Sequence, residues 1–213
     1  MTAVKICGIR TIDEGRAALD AGATHLGFVF WRPSRRYLTP AEAADIIRVL
    51  RSPNWSSVGV FVDPTSVEAN EAVRLCGLDY IQLSGYEDAA TVQAMPGPTI
   101  KAIHVQVGQE ADAAQIIEGN ALGADLYLLD THAEHLPGGT GRTFDWHALR
   151  AVGPRCWVGG GLRPDNVTAA LETLAPTGVD VSSGVEHPGG GKDPQRIRAF
   201  LEAVKTYDVA RTH

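Results

Sequence analysis

Two kinds of segment alternate along the chain from one end to the other. Short, nearly continuous apolar runs read as buried strands: 3–7, 25–30, 57–62, 80–83, 99–103, 126–129, 156–159 and 178–181. The longer stretches between them carry helix start and stop signals. Thr11 stands ahead of Ile12-Asp13-Glu14 as an N-cap with acids in the first turn, and Ala21-Gly22 ends that helix. Thr39 caps a helix over 40–50, with Pro40 at the first helical position, where its missing N–H costs nothing. Further helices are predicted over 66–75 (closing at Gly77), 88–94, 110–119, 144–151, after Pro164-Asp165-Asn166-Val167, and over 194–205. The tail from Tyr207 to His213 is expected to fray.

The count is eight strand–helix units of about 25 residues each. Strands separated by helices pair in parallel through right-handed crossovers. Eight evenly spaced units point to a closed (β/α)8 TIM barrel, the competing fold being an open doubly wound sheet with fewer units. One α/β domain over residues 1–213 is expected, since no linker or low-complexity stretch divides the chain.

Composition narrows the partners. The net charge of −6 and the absence of a Lys/Arg run weigh against nucleic acid. Arg32, Arg35 and Arg36 form the one tight basic cluster, which suits a small anion better than a duplex. Cys7, Cys76 and Cys156 are an odd set without paired spacing, which fits a reducing compartment and no zinc site. No basic-then-apolar leader and no apolar run near the ~20 residues of a bilayer span are present, so the expectation is cytoplasmic, with no membrane partner.

In a (β/α)8 barrel the site forms at the C-terminal strand ends. Those ends hold Cys7 and Gly8, the loop from Arg32 to Arg36, Asp63, Ser84, His104, Asp130, Gly160 and Gly161, and Asp180 with Ser182, Ser183 and Gly184. The Gly159-Gly160-Gly161 loop and the Ser182-Ser183-Gly184 loop, after strands seven and eight, can offer backbone N–H groups to a phosphate, the second at the start of a short extra helix. The same glycines could serve only to tighten the turns. A lone cysteine in an apolar strand also suits a core, and Asp130 could be a turn cap. Arg36 has a fork that matches a carboxylate if the ligand carries one. His25, His104, His132, His135 and His147 show no metal-ligand spacing.

Taken together, the motifs resemble the phosphoribosylanthranilate isomerase family of tryptophan biosynthesis. They are Val4-Lys5-Ile6-Cys7-Gly8-Ile9, Gly27-Phe28-Val29-Phe30, Ser34-Arg35-Arg36-Tyr37-Leu38, Val58-Gly59-Val60-Phe61-Val62, Leu128-Leu129-Asp130-Thr131, Gly138-Gly139-Thr140-Gly141, Gly160-Gly161-Leu162, and Val179-Asp180-Val181-Ser182-Ser183-Gly184-Val185-Glu186. The resemblance implies a cofactor-free, metal-free Amadori rearrangement of N-(5'-phosphoribosyl)anthranilate. Asp130 would be the general acid on the ribose ring oxygen, and Cys7, as thiolate, the base at C2'. Arg36 would hold the anthranilate carboxylate. Gly160, Gly161, Asp180, Ser182, Ser183 and Gly184 would bind substrate, the glycine and serine loops taking the phosphate. An apolar pocket is expected to raise the pKa of Asp130, and a cationic or N–H-rich setting to lower that of Cys7.

One departure follows strand four, where the family usually reads Gln-Leu-His-Gly and this chain has Gln82-Leu83-Ser84-Gly85. A histidine-pathway isomerase, or one serving both pathways, would run the same rearrangement with two aspartates, and Cys7 stands where one would be. A non-catalytic phosphate-binding barrel would have no use for an acid–base pair. The expected partner is a small phosphorylated substrate, and the fold accommodates a monomer or a homodimer. The loops at Arg32–Arg36 and Pro137–Gly141 are expected to close over the substrate.

Overall fold

The structure is a computed structural model and describes residues 1–131 and 144–211. Eight strands, β1 Ala3–Cys7, β2 His25–Val29, β3 Ser56–Phe61, β4 Tyr80–Leu83, β5 Thr99–Val105, β6 Leu126–Thr131, β7 Cys156–Val158 and β8 Gly178–Val181, pair in parallel in chain order. β8 returns to β1 with Lys5 opposite Asp180, which closes the barrel. The helices are α1 Ile12–Asp20, α2 Pro40–Leu50, α3 Ser66–Cys76, α4 Ala89–Gln93, α5 Glu110–Glu118, α6 Val167–Leu174 and α7 Pro194–Ala210.

Local chemistry sets these boundaries. The Thr11 hydroxyl accepts from Glu14 N–H at the start of α1. Thr39 with Glu42, and Thr65 with Glu68, form complete capping boxes on α2 and α3. Gly77 ends α3 at φ 62°, a left-handed position that favours glycine.

Two expectations fail. The predicted helix over 144–151 is instead a pair of short 3-10 turns, Trp146–Leu149 and Gly153–Arg155. Pro154 lacks an N–H and disfavours the α conformation in the residue before it. The second turn therefore takes the i→i+3 form common in short connectors. The tail is not frayed at Tyr207, because α7 continues to Ala210. The Tyr207 hydroxyl donates to Leu171 O at 2.8 Å, and the Asp208 carboxylate accepts from Thr2 N–H and Thr2 Oγ1, each at 2.7 Å.

Strands covered on both faces need apolar residues on both faces. Val58, Ile100, Ala102, Leu128 and Trp157 form one buried cluster with Tyr80, while a larger one joins the strands to the helix ring. Cys7, Val29 and Val60 form a third, small cluster. Lys5, in β1, is wholly buried. No helix among the described residues is long and apolar enough to cross a membrane.

The rim after β3 and β4 is fixed by a buried ion pair. Lys101 Nζ lies 2.9 Å from Glu87 Oε2, with the side chains only 4% and 1% exposed. The ammonium also donates to the carbonyls of Leu83, Gly85 and Ala102. Glu87 in turn accepts from the N–H groups of Asp63 and Gly85. Removing one partner strands the other charge, so Glu87→Ala is expected to cost about 3 kcal/mol in urea unfolding. A loss under about 1 kcal/mol would show that the pair does not anchor this rim.

Candidate active site

Cys7 is the last residue of β1 and is 8% exposed. Gly8 follows at φ 81°, and a Cβ there would run into the Arg36 side chain, so glycine lets the arginine lie over the turn. Lys5 and Cys7 are two residues apart and so share a face of the strand. Both press against Gly27 of β2, where a Cβ would lie 3.0 Å from Lys5 Cε and 3.1 Å from Cys7 Sγ. Lys5 Nζ donates to Asp180 Oδ1 on β8 at 2.9 Å.

Asp130 stands near the end of β6, opposite His104 on β5. His104 Nε2 lies 2.9 Å from Ser84 O, and a carbonyl can only accept, so Nε2 carries the proton. Gly160, at φ 71°, brings the loop after β7 across this position, since a Cβ there would collide with Thr131 N and lie 2.7 Å from Asp130 Oδ1. Gly161 is also left-handed, at φ 72°. Asn166 braces the loop by donating to Gly161 O at 3.0 Å and accepting from Arg163 N–H at 2.7 Å.

The loop after β8 forms a short 3-10 turn, Ser183–Val185. A Cβ on Gly184 would overlap Leu162 O, so the two glycine-bearing loops lie in direct contact. Ser182 Oγ donates to Cys7 O at 3.1 Å. Lys192 Nζ donates to Ser182 O at 3.1 Å and to Glu186 Oε1 at 2.9 Å. Glu186 also takes Nε (2.6 Å) and Nη2 (2.9 Å) of Arg36, and Nη2 of Arg35 (2.5 Å).

The family described as "N-(5'phosphoribosyl)anthranilate (PRA) isomerase" matches this chain over residues 4–203. An N-(5'-phosphoribosyl)anthranilate isomerase of Geobacter sp. (strain M21) is 44% identical over 207 residues, covering 96% of this chain and 98% of that protein. The chain belongs to the N-(5'-phosphoribosyl)anthranilate isomerase family. Among solved structures, the phosphoribosyl anthranilate isomerase of Thermotoga maritima superposes with a TM-score of 0.85 at 33% identity, covering 97% of this chain and all of that one. A phosphoribosyl anthranilate isomerase in complex with reduced 1-(O-carboxyphenylamino)-1-deoxyribulose 5-phosphate has a TM-score of 0.82 at 32% identity, with the same coverage.

Within this isomerase barrel the named residues sit at one rim, but Arg36 and Asp180, like Ser182, are already engaged. The Nε–Nη2 edge of Arg36 is held by Glu186, which uses two of the arginine's five donors. Asp180 is the partner of Lys5. Asp63 accepts from Tyr86 N–H at 2.7 Å and braces a loop. Ser84 Oγ takes the amide of Gln82 at 3.0 Å. The loop residues Pro137–Gly141, together with His132 and His135, lie outside the described residues.

Burial pushes the Asp130 carboxyl above its ordinary range; His104 opposes this and Asp180 adds to it. The expectation for Cys7 has the wrong sign. Burial raises the thiol and outweighs the opposing Lys5 ammonium, Asp180 adds to the rise, and Lys192 also opposes it.

Sequence reasoning does not single out Lys5, Glu186 or Lys192. A lysine inside an apolar strand was the available signal for Lys5. Glu186 is held down to about 2 by its hydrogen bond to Arg36 and by Lys192, against the pull of burial. Its folded value lies below the unfolded 4.5, so its stabilisation is present above about pH 4.5 and is lost as pH falls toward 2. Glu186→Gln is expected to lose on the order of 3 kcal/mol at pH 7 and almost nothing at pH 2. Urea midpoints across that range measure it, and a pH-independent difference would detach the effect from ionisation.

Proposed function

We propose that this isomerase converts N-(5'-phosphoribosyl)anthranilate into 1-(2-carboxyphenylamino)-1-deoxyribulose 5-phosphate, the Amadori step of tryptophan biosynthesis, between Cys7 and Asp130. One observation carries the assignment: Cys7 ends β1 and Asp130 stands near the end of β6 at the same barrel rim, with the buried Lys5–Asp180 ion pair on the strands beneath. A proton donor and a proton acceptor on opposite sides of the barrel therefore share one charged floor.

Asp130 gives its proton to the ribose ring oxygen as the C1'–O bond breaks. The anthranilate nitrogen supplies the electron pair that forms the C1'=N Schiff base. The Cys7 thiolate then removes the C2' proton, and those electrons shift to make the C1'=C2' enolamine, which tautomerises to the C2' ketone. No electrons leave the substrate, so no redox partner is needed. Burial suits the acid, because a carboxyl whose pKa is pushed upward holds its proton to higher pH and so has one to donate.

Arg35, Arg36 and Lys192 set three cations around the single Glu186 carboxylate. The surplus positive charge matches a ligand carrying a carboxylate and a phosphate. Arg36 would turn its remaining N–H groups to the carboxylate. Gly160, Gly161, Ser182, Ser183 and Gly184 would supply the phosphate cradle.

The test is steady-state turnover followed by loss of phosphoribosylanthranilate fluorescence, with the histidine-pathway aminoaldose as the comparison substrate. Turnover of the first alone is expected. Turnover of neither would overturn the assignment.

A further inference from the structure

We propose that Lys5 is the positioning residue of this site: its ammonium, paired with Asp180 and packed beside the Cys7 sulfur over Gly27, lowers the cost of forming the thiolate that takes the proton. The inference rests on the reading of Cys7 as base and names what activates it.

The geometry comes first. Lys5 and Cys7 lie on one face of β1, and both touch the space above Gly27 at 3.0 and 3.1 Å, so the two side chains run together down the same groove. A Cβ on Gly27 would press tightly against both. Lys5 is wholly buried, so its ammonium must be satisfied from within. Asp180 takes one hydrogen bond at 2.9 Å. An ammonium has three donors, and the Cys7 sulfur is a second group acting on it.

Among the described residues, the other groups around the thiol are as follows. Lys192, beyond β8, favours the thiolate, but it is itself drawn toward Glu186 and Ser182. Arg36, from the loop after β2, is forked onto Glu186. Val29 of β2 and Val60 of β3 are apolar neighbours. Across the rim Asp130, with His104 beside it, feels the same Lys5 and Asp180. Lys5 is therefore the cation that favours the thiolate most, and Asp180 opposes it.

That competition fixes the test, because the two partners of one ion pair must move the sulfur in opposite directions. Ultraviolet absorbance of the thiolate is titrated without substrate in the full chain, each variant being read against the same variant carrying Cys7→Ser. Cys76 and Cys156, pushed by burial to about 11 and about 12, are present in both members of each comparison and cancel in the difference. Lys5→Met is expected to raise the Cys7 midpoint by about one pH unit or more, a tenfold loss of thiolate at a given pH. Asp180→Asn is expected to lower it, and Lys5→Arg to restore part of the Lys5→Met loss. In turnover, the pH profile of kcat/KM should move with the titration in Lys5→Met, with kcat falling more than KM changes.

Midpoints that stay put, or that move the same way in Lys5→Met and Asp180→Asn, overturn the proposal. Should Lys5→Met not fold, Asp180→Asn decides alone, and an unmoved or raised midpoint there overturns it. The titration uses no substrate. Opposite shifts in a protein that fails to turn over phosphoribosylanthranilate would sink the reaction assignment and keep Lys5. Turnover without the shifts would do the reverse.

Discussion

Cys7→Ala is expected to lower kcat by about 10³-fold, with inorganic phosphate still bound within a few-fold of wild type. Removal of one sulfur at the strand end leaves Val29, Val60 and the Lys5–Asp180 pair in place, so the barrel should fold. What disappears is the group that takes the C2' proton. The phosphate cradle would be built from the loops after β7 and β8, whose contact at Gly184 and Leu162 does not involve the thiol. Chemistry and anchoring should therefore separate cleanly. If Cys7→Ala retains kcat within tenfold, the base lies elsewhere.

Asp130→Asn is expected to abolish turnover to a similar degree, about 10³-fold, and also to raise the melting temperature at pH 7. The second part follows from linkage. Burial holds the folded carboxyl above the ordinary 3.8, so the unfolded chain gives up this proton at lower pH than the folded one. Asp130 thus favours folding below its ordinary pKa, and that advantage is lost as pH rises through the raised value. An asparagine has nothing to ionise and escapes the penalty. Scanning calorimetry at pH 4 and pH 7 measures the difference, which should grow with pH. Lower stability at pH 7 would mean that the folded protein already holds this residue as a satisfied carboxylate, and the acid role would fail with it.

The two side chains share an electrostatic problem. Burial raises both, so the free enzyme favours the thiol over the thiolate while resisting the loss of the Asp130 proton. The competent state needs one group charged and the other not. Lys5 lowers the thiol and, less directly, the carboxyl, whereas Asp180 raises both. The pH profile of turnover accordingly belongs to the coupled group rather than to either residue alone.

The strand ends were legible because each is an apolar run stopped by a glycine or a polar residue, and closure of the barrel brings all such ends to one rim. Cys7, Asp130, Gly160 and Ser182 could be collected on that ground alone. The sign of the Cys7 shift could not. It depends on how much water the fold removes from the sulfur compared with how near Lys5 comes, and only the packing against Gly27 decides that. The hub at Glu186 was hidden for a different reason. Arg36 and Glu186 are 150 positions apart, and nothing local in either segment announces that their loops meet. The helix expected over 144–151 misled because the Asp145 cap starts a turn there as it would a helix, but the turn stops at Leu149 and a second, Pro154-containing turn leads into β7.

The Glu186 hub ties the segment after β2 to the segment after β8 through Arg35, Arg36 and Lys192. Grafting either one alone from a barrel with different specificity would leave a buried carboxylate facing strangers, or a set of cations with no anchor. These two pieces of the rim should therefore be exchanged together, and laboratory recombination of such barrels should cut the gene where it keeps them on one fragment.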